Sequence, residues 1–527
     1  MSYRHVVVAQ VNDLQNGEMK IVQVDDHRIL LSKVDGQFHA TGASCPHYGA
    51  PLDQGVLHEH RVTCPWHHAA FDVRDGTLQE PPALEGLERF DVHIDGDDVV
   101  VKILEQPKTT RVPTMVREKP REDDRTFVII GAGAAGNAAA LALREQEFRG
   151  RLVMITYEDH LPYDRPNLSK MYLSGKAKKD WLPLRSEEFY RIHDIEIMRN
   201  TRVERLDINK KTIHTASGES LKYNKVLIAT GGVPKTLDVP GADLDNIFTL
   251  RTYDDADALI DAVQSVKHVT IIGSGFIGTE AAASLRDRDL AVEIISLEKA
   301  PFEKNFGLDV GKLFQTLHEE KGVTFHLEHS IQQFNGNGTV DSVELDNGET
   351  IDTDVVLLAL GVTPATQFIE GLDKADDGSL VVDEHFQVAP DVFAAGDIVR
   401  FPDWRSEEGI RIEHFRTAEQ HGRIAASNMM DHTTRFSSTP FFWTTQVGLH
   451  FRYVGHATDW DQVVVDGDIP SQKFLAFYVK HNKVYAVAGV KRDQEMAAIQ
   501  ELLREDKMPS VDQIRNNVDW LAELKRA

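Results

Sequence analysis

Cysteine is nearly missing from this chain: 527 residues contain two, Cys45 and Cys64. Two thiols cannot build a disulfide framework. Positive charge is also in short supply, 58 basic residues against 83 acidic ones for a formal net charge of −25, which counts against non-specific binding to nucleic acid or to an anionic membrane. No apolar run approaches the roughly 18–20 residues of a membrane-spanning helix. The N-terminal MSYRHVVVAQVNDL lacks the basic-then-apolar layout of a signal peptide. The expected compartment is therefore the cytoplasm, where both thiols stay reduced and free for metal work. The length exceeds one hydrophobic core, so three or more domains are expected.

The stretch Phe127 to Gly136, FVIIGAGAAG, organises the rest. Four apolar residues run into Gly131, Gly133 and Gly136, and an Ala-rich helix follows through Leu143. A dinucleotide pyrophosphate requires this order of strand, tight turn and helix. A second strand, Leu152 to Thr156, ends near Glu158, about twenty residues on, where a carboxylate can accept ribose hydroxyls. The pattern recurs: the strand Val269 to Ile272, then Gly273, Gly275 and Gly278, helix from Thr279, the strand Val292 to Ser296, and Glu298. An acid there bonds a 2′-hydroxyl and repels a 2′-phosphate, so NADH is favoured over NADPH, although Lys299 stands beside it. Two nucleotide fingerprints in one chain point to a flavin and a nicotinamide bound together. Strands closing on glycine at Gly231, Gly361 and Gly396 add further turns, the last followed by Asp397, a carboxylate placed for a ribityl hydroxyl.

Residues 1 to about 107 read as short alternating strands (Val6 to Val11, Lys20 to Val24, His27 to Val34, Arg61 to Cys64, Asp98 to Ile103) without helical periodicity. Within this all-β module stand Cys45-Pro46-His47 and Cys64-Pro65-Trp66-His67. Two loops that each deliver one thiolate and one imidazole suit a [2Fe–2S] cluster with two cysteines on one iron and two histidines on the other. A Cys₂His₂ zinc site and a Cys45–Cys64 disulfide use the same residues and stay open. His58 and His60 read as solvated loop residues and His68 as a neighbour of the cluster loop. The charged, Pro-containing segment 105–126 reads as a flexible linker that lets the module swing between flavin and acceptor. Residues 431–527 read as an α+β cap with a hairpin from Lys473 to Val490 turning at His481-Asn482 and an amphipathic helix from Gln494 to Arg504.

With Gly49, Leu52, Gly55, Ala70, Phe71, Asp72 and Gly76 around the two Cys/His loops, residues 38–77 resemble a Rieske domain. Residues 125–450, with the segment LPYDRPNLSK ending in Lys170, resemble the two-dinucleotide-binding flavoproteins, and among them the oxygenase-type ferredoxin reductases and apoptosis-inducing-factor-like proteins. The combination is similar to the Rieske-containing branch, the apoptosis-inducing factor 3-like proteins. The resemblance implies a multidomain α/β plus β fold: a Rieske domain (1–107), a linker (108–124), a glutathione-reductase-like FAD domain (125–250 and 376–430), an NAD domain (251–375) and a C-terminal domain (431–527). It implies FAD contacts at Glu158, Arg165, Lys170, Thr230 and Asp397, with Lys170 beside the flavin and Glu280 paired to it as the catalytic couple. Glu413 and His414 fall near the flavin; Phe415 replaces a tryptophan common in the ferredoxin reductases; Trp443 matches an aromatic at the isoalloxazine edge. Disulfide-reductase relatives carry a redox cysteine opposite the flavin, which this chain lacks, and the absence of further cysteines implies the low-potential Rieske class. No His and carboxylate set for mononuclear iron stands out. The expected activity is electron transfer from NADH through FAD and the cluster to an external acceptor, protein or small molecule, with a homodimer left open and a slow-turnover redox sensor as the alternative.

Overall fold

Period-two alternation at the N-terminus produces antiparallel sheets, and the Gly-closed apolar strands further on produce parallel ones. The computed structural model describes residues 3–105, 108–117, 123–406 and 408–527. The first module is a six-stranded antiparallel sheet in the order Tyr3–Gln10, Asp98–Leu104, Arg89–Asp95, Gln37–Gly42, His27–Val34 and Glu18–Val24. Beside it lies a four-stranded sheet of Val56–His58, Arg61–Thr63, Ala70–Asp72 and Leu78–Glu80. The strands Gln37–Gly42 and Arg89–Asp95 escaped the sequence pattern.

The first glycine fingerprint sits in a parallel sheet of Ile195–Met198, Arg151–Ile155, Thr126–Ile130, Lys225–Ile228 and Val392–Ala394, extended by antiparallel Gln387–Ala389. The second sits in a parallel sheet of Ile247–Thr249, Val355–Leu358, His268–Ile272, Ala291–Ser296 and Val323–Leu327. Each strand that feeds a fingerprint is central in its sheet, buried on both faces, which is why it reads as an unbroken apolar run. The helix Ala134–Glu145 packs against Phe415–Met429 so closely that a Cβ on Gly422 would meet the Ala135 carbonyl oxygen at 2.1 Å. The second fingerprint helix begins at Phe276, one turn earlier than the pattern suggested. The C-terminal domain is an antiparallel sheet in the order Phe441–Gln446, Leu449–Gly455, Lys483–Val490, Lys473–Lys480 and Gln462–Asp468, covered by the helix Asp493–Arg504. Its hairpin turns at His481 and Asn482, both left-handed. No helix among the described residues is long and apolar enough to cross a membrane.

The N-terminal module is not free to swing. Arg416, fully buried on the helix Phe415–Met429, donates to the Pro81 and His68 carbonyls at 2.8 and 3.2 Å and lies 3.6 Å from Glu80. Glu501 of the C-terminal domain accepts from Arg61 at 3.1 Å and Thr63 at 2.8 Å, and Gln500 meets His68 Nδ1 at 2.6 Å. The segment expected to be a flexible linker is pinned as well: Thr110–Arg111 pairs with Gly86–Leu87, Met115 is buried, and Val116 donates to the Arg144 carbonyl. Part of that segment, residues 106–107 and 118–122, lies outside the described residues. Polar groups buried at a seam demand partners at fixed distances, so the seam holds one geometry.

Burial pushes the Glu501 carboxyl up, but Arg61 and Arg504 outweigh it and hold it at about 2. A carboxyl lowered on folding contributes stability above its unfolded value, lost as pH falls toward its folded one. Stability should therefore drop by about 3 kcal/mol between pH 5 and pH 2 on account of this group. Glu501→Gln should be less stable at pH 7 and show a shallower loss over the same window, followed by denaturant unfolding at each pH; parallel curves for the two proteins would count against the ion pair.

Candidate active site and cluster loops

The two crossover turns are built alike. Gly131 and Gly273 both have φ +110, and a Cβ on them would meet the Ala229 and Ala359 carbonyl oxygens at 2.2 and 2.5 Å. A Cβ on Gly136 or Gly278 would strike the Gly131 or Gly273 carbonyl at 1.9 or 2.0 Å. Gly133 and Gly275 have open space where a Cβ would go. The outer glycines of each motif thus serve the close packing of turn and helix, and the middle one leaves a bare cradle at a helix N-terminus, the arrangement that receives a phosphate. Both cradles open on one cavity of about 990 Å³, at the upper end of ligand-site volumes.

That cavity gathers most of the residues expected at the flavin: Gly131, Gly133, Glu158, Arg165, Lys170, Thr230, Gly231, Asp397, Glu413, His414 and Trp443, together with Gly275, Glu280 and Gly361. Gly136, Gly273, Gly278 and Glu298 do not line it. The first three are packed under the turns. Glu298 stands past the end of the strand Ala291–Ser296, its carboxyl pushed up by burial and faced by Lys304 at 3.7 Å. Glu158 is held by Arg165 at 2.7 Å and by the Tyr163 hydroxyl at 2.6 Å. Asp397 accepts from Arg251 at 2.9 Å. Burial raises the Glu413 carboxyl and takes His414 down to about 3, leaving a neutral imidazole whose Nδ1 has no partner among the described residues. Volume, bare cradles and ribose-side carboxylates fit FAD with a nicotinamide nucleotide beside it.

Lys170 departs from its helical turn at φ −114, ψ −110. Its ammonium donates to Glu280 Oε2 at 2.7 Å and to the Pro166 carbonyl at 3.1 Å. Ser169 donates to the same carboxylate oxygen at 2.6 Å and Thr444 to the other at 2.7 Å. Ser169 and Thr444 were not found from sequence; Ser169 sits inside the LSK motif and could have been, whereas nothing local marks Thr444.

The cluster loops are also twins. In each, the cysteine N–H bonds a carbonyl five residues on (Ala50, Ala69) and the cysteine carbonyl accepts the N–H four residues on (Gly49, His68). That fourth position is left-handed in both, φ 79 at Gly49 and φ 56 at His68. The Cys64 sulfur and burial push the Cys45 thiol well above its ordinary value, against the backbone N–H groups of His47 and Tyr48; those of His67 and Trp66 act the same way on Cys64. The sulfurs face each other; a bond from Cys45 and the backbone donors draw the Cys64 thiol down. Both cysteines are free. The imidazoles also face each other, Nδ1 to Nδ1 at 3.1 Å, and burial holds His47 at about 4 and His67 at about 2, the neutral form that ligates a metal. Among the described residues no three His, Cys, Asp or Glu converge on a single ion. Two sulfurs on one side and two nitrogens on the other fit a two-iron cluster better than one tetrahedral zinc.

The histidine side of this site abuts the flavin cavity. The Trp443 ring lies 4.6 Å from His67 and 6.1 Å from His47, centroid to centroid. On the other flank the Tyr48 ring covers His47 at 4.1 Å, and its hydroxyl crosses the seam to donate to Asp164 at 3.0 Å. Tyr48 directly follows His47, one of the expected ligands, and nothing in the sequence pattern marked it. His58, expected to be solvated, is instead on a strand and bonded to Glu505 at 3.0 Å, because the C-terminal helix packs there. His60 reaches toward Asp72 at 3.8 Å, and His68 is buried against Phe441. Phe415 opens the helix that carries Arg416 and lines the cavity.

Known proteins agree with this layout. The family model described as pyridine nucleotide-disulphide oxidoreductase matches residues 125–422, Rieske [2Fe-2S] domain matches 4–91, and reductase C-terminal matches 441–525. Apoptosis-inducing factor 3 of Homo sapiens is 36% identical over 507 residues, covering 94% of this chain and 83% of that one. The 3-phenylpropionate/cinnamic acid dioxygenase ferredoxin–NAD(+) reductase component of Photorhabdus laumondii is 31% identical over 404 residues, 75% of this chain and 99% of that one. The solved ferredoxin reductase for the CYP199A2 system from Rhodopseudomonas palustris is 30% identical with a TM-score of 0.72, covering 77% of this chain and 99% of that one. These matches favour a reductase over the redox-sensor alternative. The chain belongs to the pyridine nucleotide-disulphide oxidoreductase family, as a ferredoxin-reductase-like NAD(P)H flavoprotein, binding FAD and NAD(H), that carries its own Rieske [2Fe–2S] domain.

Proposed function

We propose that this protein is a self-contained relay in which electrons from NADH reach the Rieske cluster past Trp443 and leave it for an external acceptor. The observation that carries the reading is the position of Trp443, on the wall of the flavin cavity and 4.6 Å from the His67 ring. When bound, the flavin takes a hydride from the nicotinamide and the cluster accepts electrons one at a time, so the pair converts a two-electron donor into a one-electron one.

The chain's own residues do the holding. Cys45 and Cys64 supply thiolates and His47 and His67 neutral imidazoles at one wall of the site. The Lys170 ammonium, tied to Glu280, supplies a fixed positive charge that favours added electron density beside it. Glu158, Asp397 and the cradle at Gly133 take the sugar and phosphate portions of FAD; Gly275, Gly361 and Glu298 serve the nicotinamide nucleotide, with Glu298 selecting NADH. Relatives named as ferredoxin reductases act on a separate ferredoxin; here the fused domain takes that place, and the acceptor is a further protein or small molecule. Tyr48, 51% exposed beside His47, marks the solvent side of the cluster. Two unpaired buried thiols suit a reducing cytoplasm.

Anaerobic NADH added to protein carrying both groups should bleach the flavin and then raise the EPR signal of a reduced Rieske cluster; bleaching without any cluster signal would sink the relay. Trp443→Leu should slow cluster reduction at least about tenfold while flavin reduction stays within about twofold, the two resolved by stopped-flow absorbance. Glu298→Ala should narrow the NADH-over-NADPH preference in kcat/KM by about tenfold; an unchanged ratio would remove Glu298 from nucleotide selection.

A further inference from the structure

Strand alternation divides Phe441–Gln446 between two neighbours. Phe441 and Trp443 face the Rieske module, stacking near His68 and His67, while Phe442, Thr444 and Gln446 face the reductase. From Thr444 a line of buried polar groups runs inward. The Thr444 hydroxyl meets Glu280 Oε1 at 2.7 Å, Gln446 Nε2 meets Thr444 Oγ1 at 3.0 Å, and Gln446 Oε1 meets His318 Nε2, on the helix Leu308–Glu320, at 3.0 Å. Glu280, Thr444, Gln446 and His318 are each at most 4% exposed, so water cannot substitute for a missing partner.

Only one polarity satisfies every link. Burial holds His318 at about 4, so its ring is neutral and carries one hydrogen. Placed on Nε2, that hydrogen bonds the Gln446 carbonyl oxygen, and Nδ1 is the atom left without a partner among the described residues. The Gln446 amide must then donate to Thr444, and the one Thr444 proton is left for Glu280. With Gln446 turned the other way, Thr444 would donate to Gln446 and set its lone pair against a buried carboxylate oxygen.

The alternative partner for Lys170 explains what this line accomplishes. Lys170 bonds one acidic group, Glu280, and its charge is felt by a second, Asp164, which is itself held by Tyr48 and Asn167. Glu280 with donors on Oε2 alone is free to swing; a third donor on Oε1 fixes its plane. We propose that Thr444, oriented by Gln446 and His318, is a positioning residue for the NADH-to-flavin step, fixing Glu280 so that Lys170 keeps its ammonium at the flavin face rather than at Asp164. This rests on Lys170 and Glu280 being the flavin-side pair.

Thr444→Val removes the hydroxyl at nearly constant volume and Thr444→Ser keeps it. In Thr444→Val, flavin reduction by NADH should fall about tenfold with the NADH dissociation constant within about twofold. The flavin midpoint potential should fall by about 30 mV, a tenfold change for two electrons. Thr444→Ser should stay within about twofold of wild type in both. Gln446→Leu, acting one link away, should move the potential in the same direction and serves if Thr444→Val does not fold. Wild-type rate and potential in Thr444→Val, or equal losses in the Ser and Val variants, would overturn the proposal. Every readout precedes electron entry into the cluster, so failure of the relay through Trp443 is seen separately, as a normal flavin half-reaction with a silent cluster.

Discussion

The guanidinium of Arg416 sits at the junction on which the arrangement of cofactor sites depends. It is buried between a reductase helix and the N-terminal module, with two of that module's carbonyls and Glu80 as partners. A charge without access to water is tolerated only where several acceptors meet it at short range. Burial pulls Arg416 down from its ordinary value and Glu80 opposes that pull. The geometry that satisfies Arg416 is one in which the His68 loop is seated against Phe441, and with it the neighbouring cluster loop against Trp443.

Separating one partner of such a buried pair leaves the other charge unpaired and out of water, so the pair ties the two surfaces to one geometry. That is what a fused electron carrier requires. A carrier tethered by a loose chain gains local concentration but must find its docking pose on each cycle, whereas a seated one is always in register with its donor. The seam around Arg416, Glu501 and Gln500 is of the second kind. The tether acts less as a lead than as a strap, pinned at Thr110–Arg111 and again at Val116.

Much of this was legible from residues in a row. The glycine turns, the paired Cys/His loops and the LPYDRPNLSK segment carry their signal within a few neighbours: Gly136 and Gly278 are demanded by the turn carbonyls of Gly131 and Gly273, although Gly131 and Gly273 also meet the distant Ala229 and Ala359. The fingerprint strands announced their central burial by being apolar throughout. What escaped was set by partners far along the chain: Thr444 reaches Glu280 across 164 positions and Arg416 reaches Pro81 across 335. A histidine in a polar stretch, His58, reads as solvated until a C-terminal helix arrives to cover it. The contacts of Thr110–Arg111 and Val116 escaped for a related reason, because composition registers charge and proline but not the strand edge and helix end that receive them.

The six residues Phe441–Gln446 serve two masters through their two faces, one turned to the His67 loop and one to the Glu280 carboxylate that holds Lys170. Inserting or deleting a single residue there would exchange those faces and deprive both cofactors at once. Substitution can explore this strand one position at a time, but its length and phase are locked, and the fusion of carrier to reductase is written into that parity.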